Sequence, residues 1–117
     1  MPPIFRILVT TKHIISPKKI DLVKKAASDF QCAVLMKVGQ NSGMMFAEGK
    51  EALKWLQVVK KLRFRNLKIQ KKELVSSALL DLPPGKVIKY ESVRELATFL
   101  SRRLELYEWW KIHMGYK

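Results

Sequence analysis

The hydrophobic pattern opens with a block in which apolar residues sit side by side. Residues 4–10, IFRILVT, are too short for a helix, and adjacent rather than alternating apolar positions predict a strand buried on both faces. The period then changes. Ile20, Val23, Ala27 and Phe30 recur at helical spacing behind Ser16, a good N-cap, and Pro17, favoured at the first helical position. Lys18, Asp21, Lys24, Lys25 and Ser28 take the wet side. Residues 32–38 and 44–48 read as strands joined by the hairpin-length link Gly39-Gln40-Asn41-Ser42-Gly43. Ala52, Leu56, Val59 and Leu62, widened by Leu53, Trp55 and Val58, define a second amphipathic helix with Lys50, Lys54, Gln57 and Lys61 outside. Leu67 and Ile69 alternate with Lys68 and Gln70 in a last strand, wet on one side.

This βαββαβ order predicts an α+β, ferredoxin-like fold with a four-stranded antiparallel sheet in the order 4-1-3-2. One domain over residues 1–117 is expected, with a core at 1–74, a loop at 75–91 and a helical appendage at 92–114. The loop, LLDLPPGKVIKY, leaves room for a short extended piece. Ser92-Val93-Arg94-Glu95 is a capping box that opens a third helix carrying Val93, Leu96, Ala97 and Leu100 on one face. A fourth helix follows, with Leu106, Tyr107, Trp110 and Met114 inward and Trp109 and His113 flanking. The strands look apolar on both faces and two helices cover only one, so the appendage is expected to pack over the other. Trp109 and Trp110 are then core residues; the competing use is a base-stacking platform. Phe5 and Phe46 could stack bases in the manner of an RNA-recognition motif, but that motif's third-strand pattern is missing from GMMFAEG.

Composition adds few constraints and one strong hint. The 117 residues are 48% apolar and 28% charged, within the range of a globular chain. The single cysteine, Cys32, lies in the apolar run CAVLMKV and reads as a buried thiol. No basic leader and no apolar window of membrane-spanning length occurs, so a soluble, intracellular monomer is expected. The charge is lopsided. Residues 1–72 carry 16 Lys or Arg against 4 Asp or Glu, whereas residues 73–117 carry 7 against 6. Such a bias points to a polyanion: RNA, DNA or an acidic membrane.

Strand directions place the basic runs. Three connections share one end of the expected fold: the first strand-to-helix link with Lys12, His13, Lys18 and Lys19; the hairpin with Gln40 and Asn41; and the second helix-to-strand link with Lys60, Lys61, Arg63 and Arg65. Lys68, Lys71 and Lys72 continue along the edge strand. Together these residues form the expected nucleic-acid-binding surface, aided by the amides and dipole of the first helix N-terminus. Edge lysines also serve simply to discourage sheet-edge aggregation. His13 has no catalytic partners, no metal-ligand spacing or phosphate loop is present, and the acylphosphatase loop signature is absent. No catalysis, metal or cofactor is expected.

Thr11-Lys12-His13-Ile14-Ile15-Ser16-Pro17-Lys18-Lys19, Gly39-Gln40-Asn41-Ser42-Gly43, Glu48-Gly49 and Leu62-Arg63-Phe64 resemble the C-terminal domain shared by pre-mRNA-processing factor three, a spliceosomal small nuclear ribonucleoprotein subunit, and certain RWD-domain proteins. The resemblance spans roughly residues 4–74. Phe64 stands where that family has Trp, and Ser42 where Pro is common. It implies a ferredoxin-like core with C-terminal helices, binding of small nuclear RNA, ribonucleoprotein partners and a nuclear, mRNA-splicing setting; without the resemblance, a cytoplasmic one. The expected function is an RNA-binding domain that contacts the phosphate backbone. The alternative is a protein-interaction adaptor that uses the sheet edge or the exposed side of the C-terminal helices.

Overall fold

The computed structural model describes residues 3–116; Met1, Pro2 and Lys117 of the expected single domain lie outside the described residues. β1 (Ile4–Thr11) is followed by α1 (Pro17–Asp29), β2 (Ala33–Lys37), β3 (Gly43–Gly49), α2 (Ala52–Lys61) and β4 (Lys68–Val75). β5 (Val87–Tyr90), α3 (Val93–Leu100) and α4 (Leu104–Met114) complete the chain. The sheet runs β4-β1-β3-β2-β5. The ferredoxin-like order 4-1-3-2 is present, and one strand extends it. β5 pairs parallel with β2, Val34 facing Val87 and Lys37 facing Tyr90, so the sheet is five-stranded and mixed. The expected loop contains this strand because VIKY supplies the β-branched and aromatic residues that cover the otherwise open side of β2.

Two of the helices, α1 and α3, begin at a side-chain cap. Ser16 Oγ accepts a hydrogen bond from Lys19 N at 3.3 Å, with Pro17 next to it. Ser92 Oγ accepts from Glu95 N at 3.2 Å, completing half of the capping box. The hairpin between β2 and β3 closes on Gly43, where a Cβ would collide with Thr11 Oγ1 and Ile14 Cγ1.

Two cores flank the sheet. Ile7 and Val9 from β1, Val34 and Met36 from β2, and Met45 and Ala47 from β3 meet Val23, Ala27, Trp55 and Val59 of α1 and α2. The opposite face, with Leu8, Leu35, Met44 and Phe46, meets Leu80, Leu96, Leu100, Leu106 and Trp110. The appendage therefore covers the second face. At about 1.5–3 kcal/mol for each large apolar side chain fully buried, the second cluster is a main source of stability. Phe46, fully buried with its ring centroid 5.1 Å from that of Trp109, has no face left for a base. Trp110 is likewise core, and Trp109 is half-buried; neither forms an open platform.

Candidate functional site

Three features stand out: a basic end, a free sheet edge and a cleft at the far end. At the basic end backbone bonds knit the three expected connections together. Lys12 N donates to Arg65 O at 2.8 Å, Ser42 N to Lys12 O at 2.9 Å, and Ile14 pairs with Gly39. Lys19 Nζ donates to Arg63 O at 3.2 Å and sits 5.4 Å above the Phe64 ring. Lys37, buried at the end of β2, donates from Nζ to Asn41 O and Ser42 O at 2.8 and 2.9 Å. Lys12, Lys18, Gln40, Asn41, Lys60, Lys61, Arg63 and Arg65 are exposed, and His13 and Lys19 partly so.

Local physics accounts for many of these charges. Lys60 and Lys61 occupy the last turn of α2, where cations offset the carbonyl end of the helix dipole. One amide at the start of α1 is already taken by Ser16. The hollow among His13, Ser16, Lys19 and Arg65 holds only about 30 Å³, roughly one water. The strip on β4 is divided. The register shifts between Leu8 and Val9, so Leu8 faces Lys71 while Val9 faces Ile69 and Gln70 is bulged out. Lys71, opposite Leu8, points to the α3/α4 side, and Lys72, opposite Ile7, to the α1/α2 side.

The edge itself is long and alternating. β4 has eight residues, exposed and half-buried in turn, with β1 on one side and, among the described residues, no strand on the other. Leu74 near its end is 57% exposed.

At the opposite end from the basic links, an open cleft of about 420 Å³ lies between the α1–β2 link, the β3–α2 link and the segment 76–86. Ile4, Phe30, Ala33, Leu80 and Leu82 make its walls largely apolar, and Lys50 stands at its mouth. Beside it sits a buried ion pair that the charge census of the sequence did not single out. Arg6 Nε donates to Glu48 Oε2 at 2.7 Å, with 5% and 0% of the two side chains exposed. Glu48 Oε1 accepts from Leu79 N at 2.9 Å and Leu80 N at 2.7 Å. The Arg6 guanidinium lies 5.3 Å over the ring of Trp109, whose Nε1 donates to Glu73 Oε1 at 2.9 Å. The signal was present in the sequence: one Arg within IFRILVT and one Glu within GMMFAEG, which β1–β3 pairing sets opposite each other. Cys32 is buried as expected, and burial, assisted by the negative charge of Glu51, pushes its thiol from 9.0 up to about 12. Among the described residues no group of three or more metal-binding side chains occurs, and no helix is long and apolar enough to cross a membrane.

No family model and no curated protein matches this sequence. Solved structures do match. A bacterial light-regulated adenylyl cyclase is similar over 97% of this chain, at TM-score 0.56 and 16% identity. BlrP1 of Klebsiella pneumoniae, solved with FMN and cyclic diGMP, is similar over 83%, at TM-score 0.57 and 13% identity. The BLUF portion of BlrP1 is similar over 91%, at TM-score 0.58 and 12% identity. The chain spans 40%, 29% and 77% of those proteins respectively.

These matches overturn the resemblance to the splicing-factor and RWD family. With it go the RNA-binding function, the small nuclear RNA and ribonucleoprotein partners, and the nuclear splicing setting. The motifs that carried the resemblance have structural causes: Gly43 avoids a steric overlap, Glu48 neutralises Arg6, and Phe64 fills the core beneath Lys19. At 12–16% identity, what this chain shares with the light-regulated cyclase and BlrP1 is the fold alone.

Proposed function

We propose that this chain is a non-catalytic protein-interaction module that accepts an extended, acidic segment of a partner protein along β4. The observation that carries the reading is the free outer side of that eight-residue strand, whose unpaired backbone groups suit addition of a further strand. Lys68, Lys71 and Lys72 select the occupant. A second copy of β4 would set like charges near one another, whereas acidic side chains on an incoming strand would be attracted. Leu74 offers an apolar contact at the far end of the strand. The light-regulated cyclase also supports the reading, because its similar portion belongs to a longer chain.

FMN is present in the BlrP1 structure; in this chain the layer between the sheet and α1/α2 leaves no room for it. The layer between the sheet and α1/α2 is filled by Val23, Ala27, Trp55 and Val59, all fully buried. A planar tricyclic ring with a polar edge would need both space and hydrogen-bond partners in that layer. Its side chains are almost wholly apolar, with only the Trp55 Nε1 donor buried and unpaired.

The test is fluorescence anisotropy with a labelled eight-residue peptide alternating Glu and Val. Saturable binding tighter than ~1 mM is expected, with slowed amide exchange over residues 68–75. Lys68→Glu, Lys71→Glu and Lys72→Glu together should weaken it at least about tenfold. Absence of binding, or affinity indifferent to the triple reversal, refutes the assignment.

A further inference from the structure

We infer that the cleft between the α1–β2 link, the β3–α2 link and the segment 76–86 binds a small amphiphilic monoanion: a carboxylate or sulfonate carried on an apolar body. The site is separate from the β4 edge. Its volume of about 420 Å³ lies within the ~300–1,000 Å³ of small-molecule sites.

The walls are fixed by specific bonds. Glu48 holds the Leu79 and Leu80 amides on one side. On another, Gly85 N donates to Cys32 O at 3.0 Å and Lys86 N to Pro83 O at 3.1 Å. The segment is also tied to the start of α4, since Arg103 Nε and Nη2 donate to Asp81 Oδ1 at 3.0 and 2.9 Å. A cleft held open in this way does not have to be ordered when a ligand enters.

Charge decides the ligand class. Two carboxylates line the cleft, and each has a cationic partner: Glu48 has Arg6 at 2.7 Å and two amides, and Glu51 has Lys54 at 2.9 Å in an exposed pair. Lys50 lines the cleft too, and among the described residues it makes no ion pair. An apolar floor beneath one uncompensated ammonium favours an apolar body ending in a single negative charge. The net charge of +13 adds a long-range attraction of the same sign.

The probe is 8-anilinonaphthalene-1-sulfonate, followed by fluorescence, with decanoate as competitor and N-phenyl-1-naphthylamine as the uncharged analogue. One saturable site is expected, displaced by decanoate. Ala78 is exposed and lines the cleft, so Ala78→Trp should fill the space without touching the core and weaken the sulfonate at least about tenfold. Lys50→Glu should weaken the sulfonate about fivefold or more while leaving the uncharged analogue nearly unchanged. Lys18→Glu, the same charge change at the opposite end of the molecule and on an exposed residue, should have a smaller effect than Lys50→Glu. Near-UV circular dichroism of each variant must match the parent, because loosely packed states also bind this dye. Decanoate should shift the amide resonances of Ala33 and Leu80 in the unmodified protein, a readout that does not depend on any variant folding. Dye binding undiminished by Ala78→Trp, or resonance shifts elsewhere, overturns the site. Equal losses for charged and uncharged probes in Lys50→Glu overturn the anion preference.

Discussion

Removing one charge from the Arg6–Glu48 pair should damage this fold more than removing any surface ion pair. Glu48→Gln keeps the shape and still offers a carbonyl oxygen to the Leu79 and Leu80 amides, but it leaves the Arg6 cation, 5% exposed, without its ion-pair partner, while Glu73, opposite Arg6 on β4, is already bonded to Trp109. Breaking a buried pair from one side costs about 3–5 kcal/mol. With a urea slope of about 1–3 kcal/mol per molar, the unfolding midpoint should fall by about 1 M or more. By contrast Lys25–Asp29 and Lys54–Glu51, with side chains 47–70% exposed, should each contribute about 0–1 kcal/mol. Arg6→Met should be costly for the converse reason, leaving a buried carboxylate with two amides only. The double variant removes both charges and should cost less than the sum of the singles, with a coupling of about 1–3 kcal/mol. Equilibrium urea unfolding followed by tryptophan fluorescence measures all four corners of the cycle. Single losses below about 1 kcal/mol, or strict additivity, would show that the pair does not hold the two central strands and segment 76–86 together.

Three further outcomes are expected. Gly43→Ala places a methyl group against Thr11 Oγ1 and Ile14 Cγ1 and should lower stability by about 1–3 kcal/mol, read as a lower thermal midpoint. Ser92→Ala removes the acceptor for Glu95 N and should cost about 1 kcal/mol, whereas Ser92→Asp should retain most of the stability. The Cys32 thiol, raised from 9.0 to about 12 in the fold, loses its proton later than the same thiol in the unfolded chain. Stability is therefore unaffected by this group below pH 9 and declines between about pH 9 and 12. Cys32→Ala should flatten that part of the stability profile, and thiol reagents at pH 8 should modify Cys32 only at the rate of unfolding.

Much of the fold was legible because its signals are local. The adjacent apolar residues of IFRILVT, the Ser16-Pro17 start and the Ser92 capping box each predict the element that forms. β5 was harder to read, because VIKY offers only four residues and its pairing with β2 depends on the path of segment 76–86, not on a turn signal. The bulge at Gln70 was equally hidden. It arises where β1 and β4 adjust their register, and it brings Lys71, opposite Leu8, to the same face as Lys68, opposite Thr10. The apolar cleft has no signature of its own, since Phe30, Ala33 and Leu80 belong to separate elements and each resembles an ordinary core residue.

The charge bias is the clearest case of a signal read correctly in place and wrongly in use. Backbone bonds from Lys12 to Arg65 and from Ser42 to Lys12 do gather the three basic links at one end. Yet net charge describes a long-range field and does not name what that field acts upon. Several of these cations already meet short-range demands within the fold: Lys19 clasps the carbonyl of Arg63, Lys37 holds the hairpin, and Lys60 and Lys61 close α2. A cation with a local partner is less available to a distant one. Lys12, Lys18, Arg63 and Arg65 make no ion pair among the described residues, and neither do Lys50, Lys68, Lys71 and Lys72; the last four stand where the molecule also offers an apolar cleft or an open strand edge. Coincidence of a free charge with a complementary surface is a sharper guide to binding than the number of charges, because affinity depends on geometry as well as attraction.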